Sequence, residues 1–303
     1  MSYPSPNWQI SGGENFRSRG RKSTNPRAAM KEWLTLCDAI TRSGGRILVM
    51  PPAEGATGMV YTANAGALFK AGEHYQFMIS NMAVAHRKGE REHIKKFLTE
   101  AGVPCSEATA TWEGQADICT LPSNRFILSY GVRSTQKSLD EVRPRLPQGA
   151  RVLDVELVEP YFHGDTCLNS LHTRGGDSVL LVYGGAMKSR TPPELRTFLG
   201  NLGEVLTIEE EDALNYACNA LCLDGTLLAP PGLSTSLRGN LARRRHEVVE
   251  IELPELFGKG GGGPRCLVNE LRGLVLTDEA PNYTMKRDQL HALAETYPES
   301  ITA

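Results

Sequence analysis

Arg27 to Met50 reads RAAMKEWLTLCDAITRSGGRILVM. Met30, Trp33, Leu34, Cys37 and Ile40 fall at helical spacing as far as Ser43, and Gly44-Gly45 interrupts the pattern. Arg46-Ile47-Leu48-Val49-Met50 then runs apolar and β-branched, so the stretch predicts one helix leading into one strand. The same grammar returns at Glu90 to Ala101 before Gly102-Val103, and at Ser138 to Leu146 before Arg151 to Val155. It returns again at Pro193 to Leu202 before Glu204 to Ile208, and at Ser234 to Arg244 before Glu247 to Ile251. Further extended runs, such as Phe126 to Tyr130 and Val179 to Tyr183, lie between each strand and the next helix. Each unit is thus several strands plus one helix, and the units recur at a period of about 50 residues, which marks a repeat architecture. With no Pro/Gly-rich linker between units, residues 1–303 are expected to form one closed, radially repeated α/β domain, with residues 1–26 as an N-terminal loop open to a part in substrate binding. A doubly wound sheet is the alternative, because alternating strands and helices fit it as well.

The chain carries 33 basic and 35 acidic side chains, so it lacks the overall basic field that holds nucleic acid. Met1 to Ile10 has no apolar run of the signal-peptide kind, and no stretch reaches the length that spans a bilayer. A soluble, cytoplasmic protein with neither a nucleic-acid nor a membrane partner is the expectation. Seven cysteines is an odd number in a chain too large to need disulfide staples. Cys218 and Cys222 have a CxxxC spacing, but no second pair or histidine pair completes a zinc site, and no metal is expected.

The most unusual segment is Gly258 to Cys266, GKGGGGPRC. Glycines let a backbone approach a ligand closely, and Cys266 stands at the edge of the apolar Leu267-Val268 with the cations Lys259 and Arg265 nearby, a setting that can stabilise a thiolate. An inert thiol on a flexible loop is the competing reading; a phosphate loop lacks its Lys-Ser/Thr ending. In Tyr161 to Leu168, His163 and Asp165 are two apart and project to one side if the segment is extended. A neutral imidazole is the usual base beside a nucleophilic cysteine, although a satisfied core histidine fits the local motif equally. Trp112 to Asp117 sets Glu113 and Asp117 around a small-residue turn, and Tyr61 to Gly66 by itself is a polar turn.

Together these segments resemble the guanidine-modifying, or amidinotransferase-fold, superfamily of penteins. The likeness covers about residues 27 to 280 and rests on motifs in family order: TANAG at 62 to 66, EGxAD at 113 to 117, GxRST at 131 to 135, HxD at 163 to 165, and the glycine run ending in Arg265-Cys266. The resemblance implies a five-bladed α/β propeller of ββαβ units with pseudo-fivefold symmetry, in agreement with the five repeats. It also implies that Cys266 is the nucleophile, His163 the general acid/base, Glu113 the acid paired with that histidine or the substrate, and Asp165 the carboxylate that grips the guanidinium. Arg133 and Arg87 match positions where relatives meet the substrate carboxylate.

Two departures bear on the substrate. Asn64 stands where deiminases carry a second aspartate, which is similar to the arginine dihydrolase branch, and the HxD pattern counts against the dimethylarginine branch. Upstream, Glu14 to Lys22 puts Arg17, Arg19, Arg21 and Lys22 within six residues, a solvated loop or a pocket for a more anionic substrate. The implied activity is hydrolysis of a guanidino C–N bond through an S-amidino cysteine, with no cofactor and a small guanidino compound as partner. Amidino transfer to an amine and a non-catalytic pentein are the alternatives, and a homo-oligomer is left open.

Overall fold

The computed structural model describes residues 1–10, 15–20, 23–275 and 280–302. A two-residue strand, β1 (Ser23–Thr24), precedes helix α1 (Pro26–Arg42). The helix begins where Asn25 accepts from the Ala28 N–H and Pro26 takes the first helical position, where its missing N–H is no loss. Its apolar stripe of Met30, Trp33, Leu34 and Cys37 is buried, as the spacing predicts.

Four units with one plan follow, each two antiparallel strands, a helical segment and a third strand parallel to the second. They are β2 (Gly66–Ala71), β3 (His74–Ile79), α2 (Glu90–Glu100) and β4 (Cys105–Glu107); then β5 (Ile118–Leu121), β6 (Arg125–Tyr130), α3 (Leu139–Val142) and β7 (Arg151–Glu156). The third is β8 (Leu168–His172), β9 (Ser178–Val182), α4 (Pro192–Leu199) and β10 (Glu204–Thr207). After α5 (Glu210–Leu214) comes the fourth, β11 (Leu221–Leu223), β12 (Thr226–Ala229), α6 (Thr235–Arg243) and β13 (Glu247–Glu250). The α3 segment is a single turn, shorter than the predicted helix: Pro144 has no N–H to donate and disfavours helix at Arg143, so the chain leaves in a 3₁₀ turn.

The fifth unit is reduced. Ile47 to Met50 forms only isolated bridges, Met50 to Ser2 and Leu48 to Asn282, between segments from the two ends of the chain. The Met1 ammonium donates to Leu48 O, the Met50 N–H to Met1 O, and the Val49 N–H to Pro281 O. Residues at the start of the chain are therefore packed: Ser2 and Trp8 are buried. Beyond them α7 (Tyr283–Glu295) lies on α1, and β14 (Ile301–Thr302) pairs with β1. First strands of successive units touch, β5 on β8 and β8 on β11, which brings the loops before them towards one axis. No helix among the described residues is long and apolar enough to cross a membrane.

Candidate active site

A 3₁₀ turn precedes the first strand of each regular unit: Thr62–Ala65, Gly114–Asp117, Gly164–Thr166 and Ala217–Asn219. Neighbouring turns touch, and they set Asn64, Glu113 with Asp117, His163 with Asp165, and Asn219 around one point. The crowding explains a glycine: Gly114 has φ +74°, and a Cβ there would lie 2.8 Å from Gly66 N. In the reduced fifth unit the place of the turn is taken by the loop that ends at Cys266.

That loop leaves a π-helical turn, Pro254–Lys259, a form that recurs at functional sites. The Glu32 carboxylate caps it by accepting from the Glu255 and Leu256 N–H groups. The glycine run is a close approach, since a Cβ on Gly262 would sit 2.3 Å from the Tyr61 ring. Cys266 then donates its N–H to Asn219 Oδ1 at 3.1 Å and accepts at its carbonyl from the Ala63 N–H. Its Sγ lies 3.8 Å from Asp165 Oδ2, and the residue is 5% exposed. Burial, and then the Asp165 carboxylate, push the thiol well above its ordinary value, and the Asn219 contact and Arg265 work against them. The two cations expected to stabilise a thiolate are largely committed elsewhere: Lys259 pairs with Glu255 at 2.7 Å, and Arg265 with Glu270 at 3.0 Å.

His163 and Asp165 do not lie on an extended segment. Thr166 Oγ1 donates to His163 O and the Cys167 N–H to Gly164 O, which closes a tight turn and still brings both side chains to the centre. His163 Nε2 is 2.7 Å from Glu113 Oε2, and Nδ1 is 3.5 Å from Asn64 Nδ2. The neutral ring that fits these partners carries its proton on Nε2. Burial lowers the His163 pKa, but the Glu113 hydrogen bond and the surrounding carboxylates outweigh it and the net direction is up. Glu113 goes the other way: burial raises it, and His163 with Arg133 and Arg87 brings it well below the usual carboxylate range. Asp117 accepts from Ser134 Oγ at 2.5 Å and from the Gly164 N–H at 2.9 Å, while Ser134 Oγ accepts from the Glu113 N–H. The EGxAD and GxRST motifs are thus one hydrogen-bonded frame behind the imidazole. Burial pushes Asp117 up to about 6.

Arg87 does not present a free fork. Its Nε and Nη2 grip Glu90 at 2.8 Å each, Nη2 also donates to Gly58 O, and Nη1 donates to Asn64 Oδ1 at 2.8 Å. In this state Arg87 orients Asn64 and turns the amide nitrogen towards His163, so the Asn64 amide oxygen already has a donor. Arg133 is the more available arginine, held by Glu113 at 3.4 Å and stacked 5.4 Å from the Phe162 ring centre. In the basic segment, Glu14, Arg21 and Lys22 lie outside the described residues. Arg17 stacks 4.0 Å from the Phe257 ring centre and donates to Leu214 O, and Arg19 is exposed.

A cleft with about 690 Å³ of empty space, counted to its open mouth, is lined by Cys266, His163, Asn64, Arg87 and Arg133. Asp165 and Glu113 stand just behind that surface, and Asp165 Oδ1 is buried with no hydrogen-bond partner among the described residues. Every site residue named from the sequence is therefore brought together. Residues not named individually from the sequence also contribute: Gln9, Ile10, Asn15 and Ser18 form part of the cleft wall, the last two from the basic segment, and Asn219 fastens Cys266. Asn15 donates to Gly261 O, a contact between residues far apart in the chain that no local pattern reveals. Among the described residues no group of three or more His, Cys, Asp or Glu side chains could hold a metal ion.

The family model described as N,N dimethylarginine dimethylhydrolase, eukaryotic, matches residues 10–273. The bifunctional arginine dihydrolase/ornithine cyclodeaminase ArgZ of a Synechocystis species is 31% identical over 85% of this chain. The chain spans only 35% of that protein's length. The N(G),N(G)-dimethylarginine dimethylaminohydrolase of Mycobacterium tuberculosis is 26% identical over 80% of this chain and 76% of its own. The crystal structure of the N-terminal domain of ArgZ bound to substrate superposes with a TM-score of 0.77 at 26% identity, covering 88% of this chain and 95% of that one. A variant of the same domain covalently bound to a reaction intermediate gives 0.78 at 25% identity, over 89% and 95%. These likenesses, and the order of the five motifs around one cleft, establish that the chain belongs to the N,N-dimethylarginine dimethylhydrolase family of guanidine-modifying penteins.

Proposed function

We propose that this protein is a cysteine-dependent hydrolase of the guanidino C–N bond of arginine or an arginine-like compound. The observation that carries the reading is the Asp165 carboxylate: Oδ2 faces the Cys266 sulfur, and Oδ1 is buried without a hydrogen-bond partner among the described residues. A buried acceptor left unsatisfied costs about 1–3 kcal/mol, and a guanidinium supplies the donors that relieve it. A cation held there puts its electrophilic carbon beside the sulfur and favours the thiolate that burial disfavours, which is proximity and electrostatic catalysis together.

In this mechanism the Cys266 thiolate adds to the guanidinium carbon, and His163, oriented by Glu113, protonates the departing nitrogen. The C–N bond breaks, ammonia or an amine leaves, and an S-amidino enzyme remains. Water, deprotonated by His163, adds to the same carbon, and the C–S bond breaks to give a ureido product; a second round removes the remaining nitrogen. Arg133 meets the substrate carboxylate at the mouth. Arg87, held by Glu90, keeps Asn64 in place. The N-terminal residues 1–26 are read as part of one catalytic domain and of its substrate wall.

Arginine is favoured over its dimethylated form by Asn64 and by the likeness to ArgZ, 31% against 26% for the dimethylaminohydrolase. A dimethylarginine dimethylaminohydrolase structure at TM-score 0.61 and 19% identity supports the fold alone. The test is to incubate the protein with arginine and with N-methylated arginines, with and without glycine or lysine, and to assay ammonia, citrulline and ornithine. Intact mass during turnover should show an amidino adduct on the wild type and none on Cys266→Ala, whose kcat should fall by about 10⁴-fold or more. Turnover by Cys266→Ala, or transfer of the group to the added amine, ends the hydrolase reading.

A further inference from the structure

Asn219 is the polar residue that the fourth unit sends to the axis, as the other units send Asn64, Asp117 and Asp165. It is fully buried. Its Oδ1 accepts from the Cys266 N–H at 3.1 Å, and its Nδ2 donates to the Asp165 carbonyl at 3.3 Å. Its own carbonyl accepts from the Arg265 N–H at 3.1 Å. A backbone N–H requires the amide oxygen and a backbone C=O requires the amide nitrogen, so these partners fix the orientation of the side chain. Leucine has the shape without either bond, and aspartate keeps the acceptor but loses the donor. The turn is held from behind by Tyr216, which adopts φ +60° while buried, packs on Phe257 and donates its hydroxyl to Asn15. A bulky residue in the left-handed region persists only where the surroundings impose it. On the other side a Cβ on Gly263 would come within 2.8 Å of Asn219 Oδ1, so the nucleophile loop sits directly on this amide.

We propose that Asn219 is a positioning residue of the reaction: one amide ties the backbone of Cys266 to the backbone of Asp165, and so sets the sulfur at its distance from the carboxylate that receives the guanidinium. This rests on the roles given above to Cys266 and Asp165. It also has an electrostatic side, since the Asn219 contact is among the influences that hold both groups below where burial would put them.

The test uses the full chain as wild type, Asn219→Asp and Asn219→Ser. Alkylation of Cys266 by iodoacetamide is followed by peptide mass spectrometry from neutral to strongly alkaline pH, beside thermal melts and steady-state kinetics with arginine. Asn219→Asp removes the donor and adds a negative charge, so the pH midpoint for Cys266 should rise by about one unit or more. Its kcat should fall by about 100-fold, more than KM rises, because what is lost is alignment at the reacting carbon. Asn219→Ser should stay folded and lose about tenfold in kcat. The proposal is overturned if the folded variants keep the wild-type midpoint and kcat within about twofold. It is equally overturned if kcat falls only in step with a lowered Tm and an unchanged midpoint, or if neither variant folds, since these outcomes make Asn219 part of the framework alone. A wild type that hydrolyses no guanidine while Asn219→Asp still shifts the midpoint would end the proposed function and leave the positioning role standing.

Discussion

The Cys266 thiol and the His163 imidazole are pushed in the same direction for different reasons: burial holds the proton on sulfur, whereas Glu113 and its neighbours favour the cationic ring against the effect of burial. In the proposed reaction the second effect matters for the acid role, because only the imidazolium can protonate the leaving nitrogen. Glu113→Gln still accepts the Nε2–H bond but removes the charge, so the His163 pKa should fall. The group is protonated below its pKa, so the alkaline limb of the kcat profile should move to lower pH, and kcat at the optimum should drop by about 10–100-fold. A pH–rate profile of Glu113→Gln that overlays the wild type assigns Glu113 to substrate instead. At this scale the sequence was informative about which residues meet, since Cys266, His163, Glu113, Asp165, Asn64, Arg87 and Arg133 share one site. It was silent on how they are spent: the Glu90 carboxylate that occupies Arg87, and the Glu270 carboxylate that draws on Arg265, become partners only in three dimensions.

Most helices and strands followed their periodicity, apart from the single-turn α3 and the bridges at Ile47 to Met50, but the elements that line the proposed site are 3₁₀ and π turns, too short and too irregular to leave a repeating apolar signal. The π turn before the glycine run is the clearest case. It is capped from a distant helix by Glu32, a buried residue of α1 off its apolar stripe that looks in sequence like an ordinary surface carboxylate. Burial pushes Glu32 up to about 7, against the lowering effect of the two N–H groups it caps. A carboxylate whose folded pKa lies above its unfolded value near 4.3 contributes stability that is fully present below that value and is lost as pH rises through about 7. Thermal melts should therefore show the wild type losing stability between about pH 5 and pH 8, by an amount that this one group bounds at about 3 kcal/mol. Glu32→Gln, which resembles the protonated form, should flatten that slope. An equally steep slope in Glu32→Gln removes Glu32 as its source.

Five units at one period were legible in the chain, yet among the described residues four close as three-stranded sheets, and the reason lies at the scale of the whole molecule. The strand of the fifth unit, Ile47 to Met50, has no neighbouring strand close in sequence and is held by Met1-Ser2 on one side and Pro281 to Tyr283 on the other. Two ends of the chain thus complete the unit that also holds the Cys266 loop, and α7 with the residues just after it locks them by packing Tyr283, Leu290, Ala294 and Tyr297 against α1 and its surroundings. Tyr297 donates its hydroxyl to Pro4 O, and Arg27 donates to Tyr297 O. Burying three such large side chains contributes about 6 kcal/mol, a sizeable part of the 5–15 kcal/mol that holds a typical protein folded. A chain ended after Pro281 should therefore melt about 10 °C lower or more. It should also lose turnover, although none of the four α7-side residues named here lines the cleft. The loss should appear in kcat, because an open fifth unit frees the loop that carries Cys266 while Asp165 and Arg133, on other units, still bind. A truncated protein that melts within about 3 °C of the full chain and keeps its kcat would show that the ring closes without the C-terminal helix.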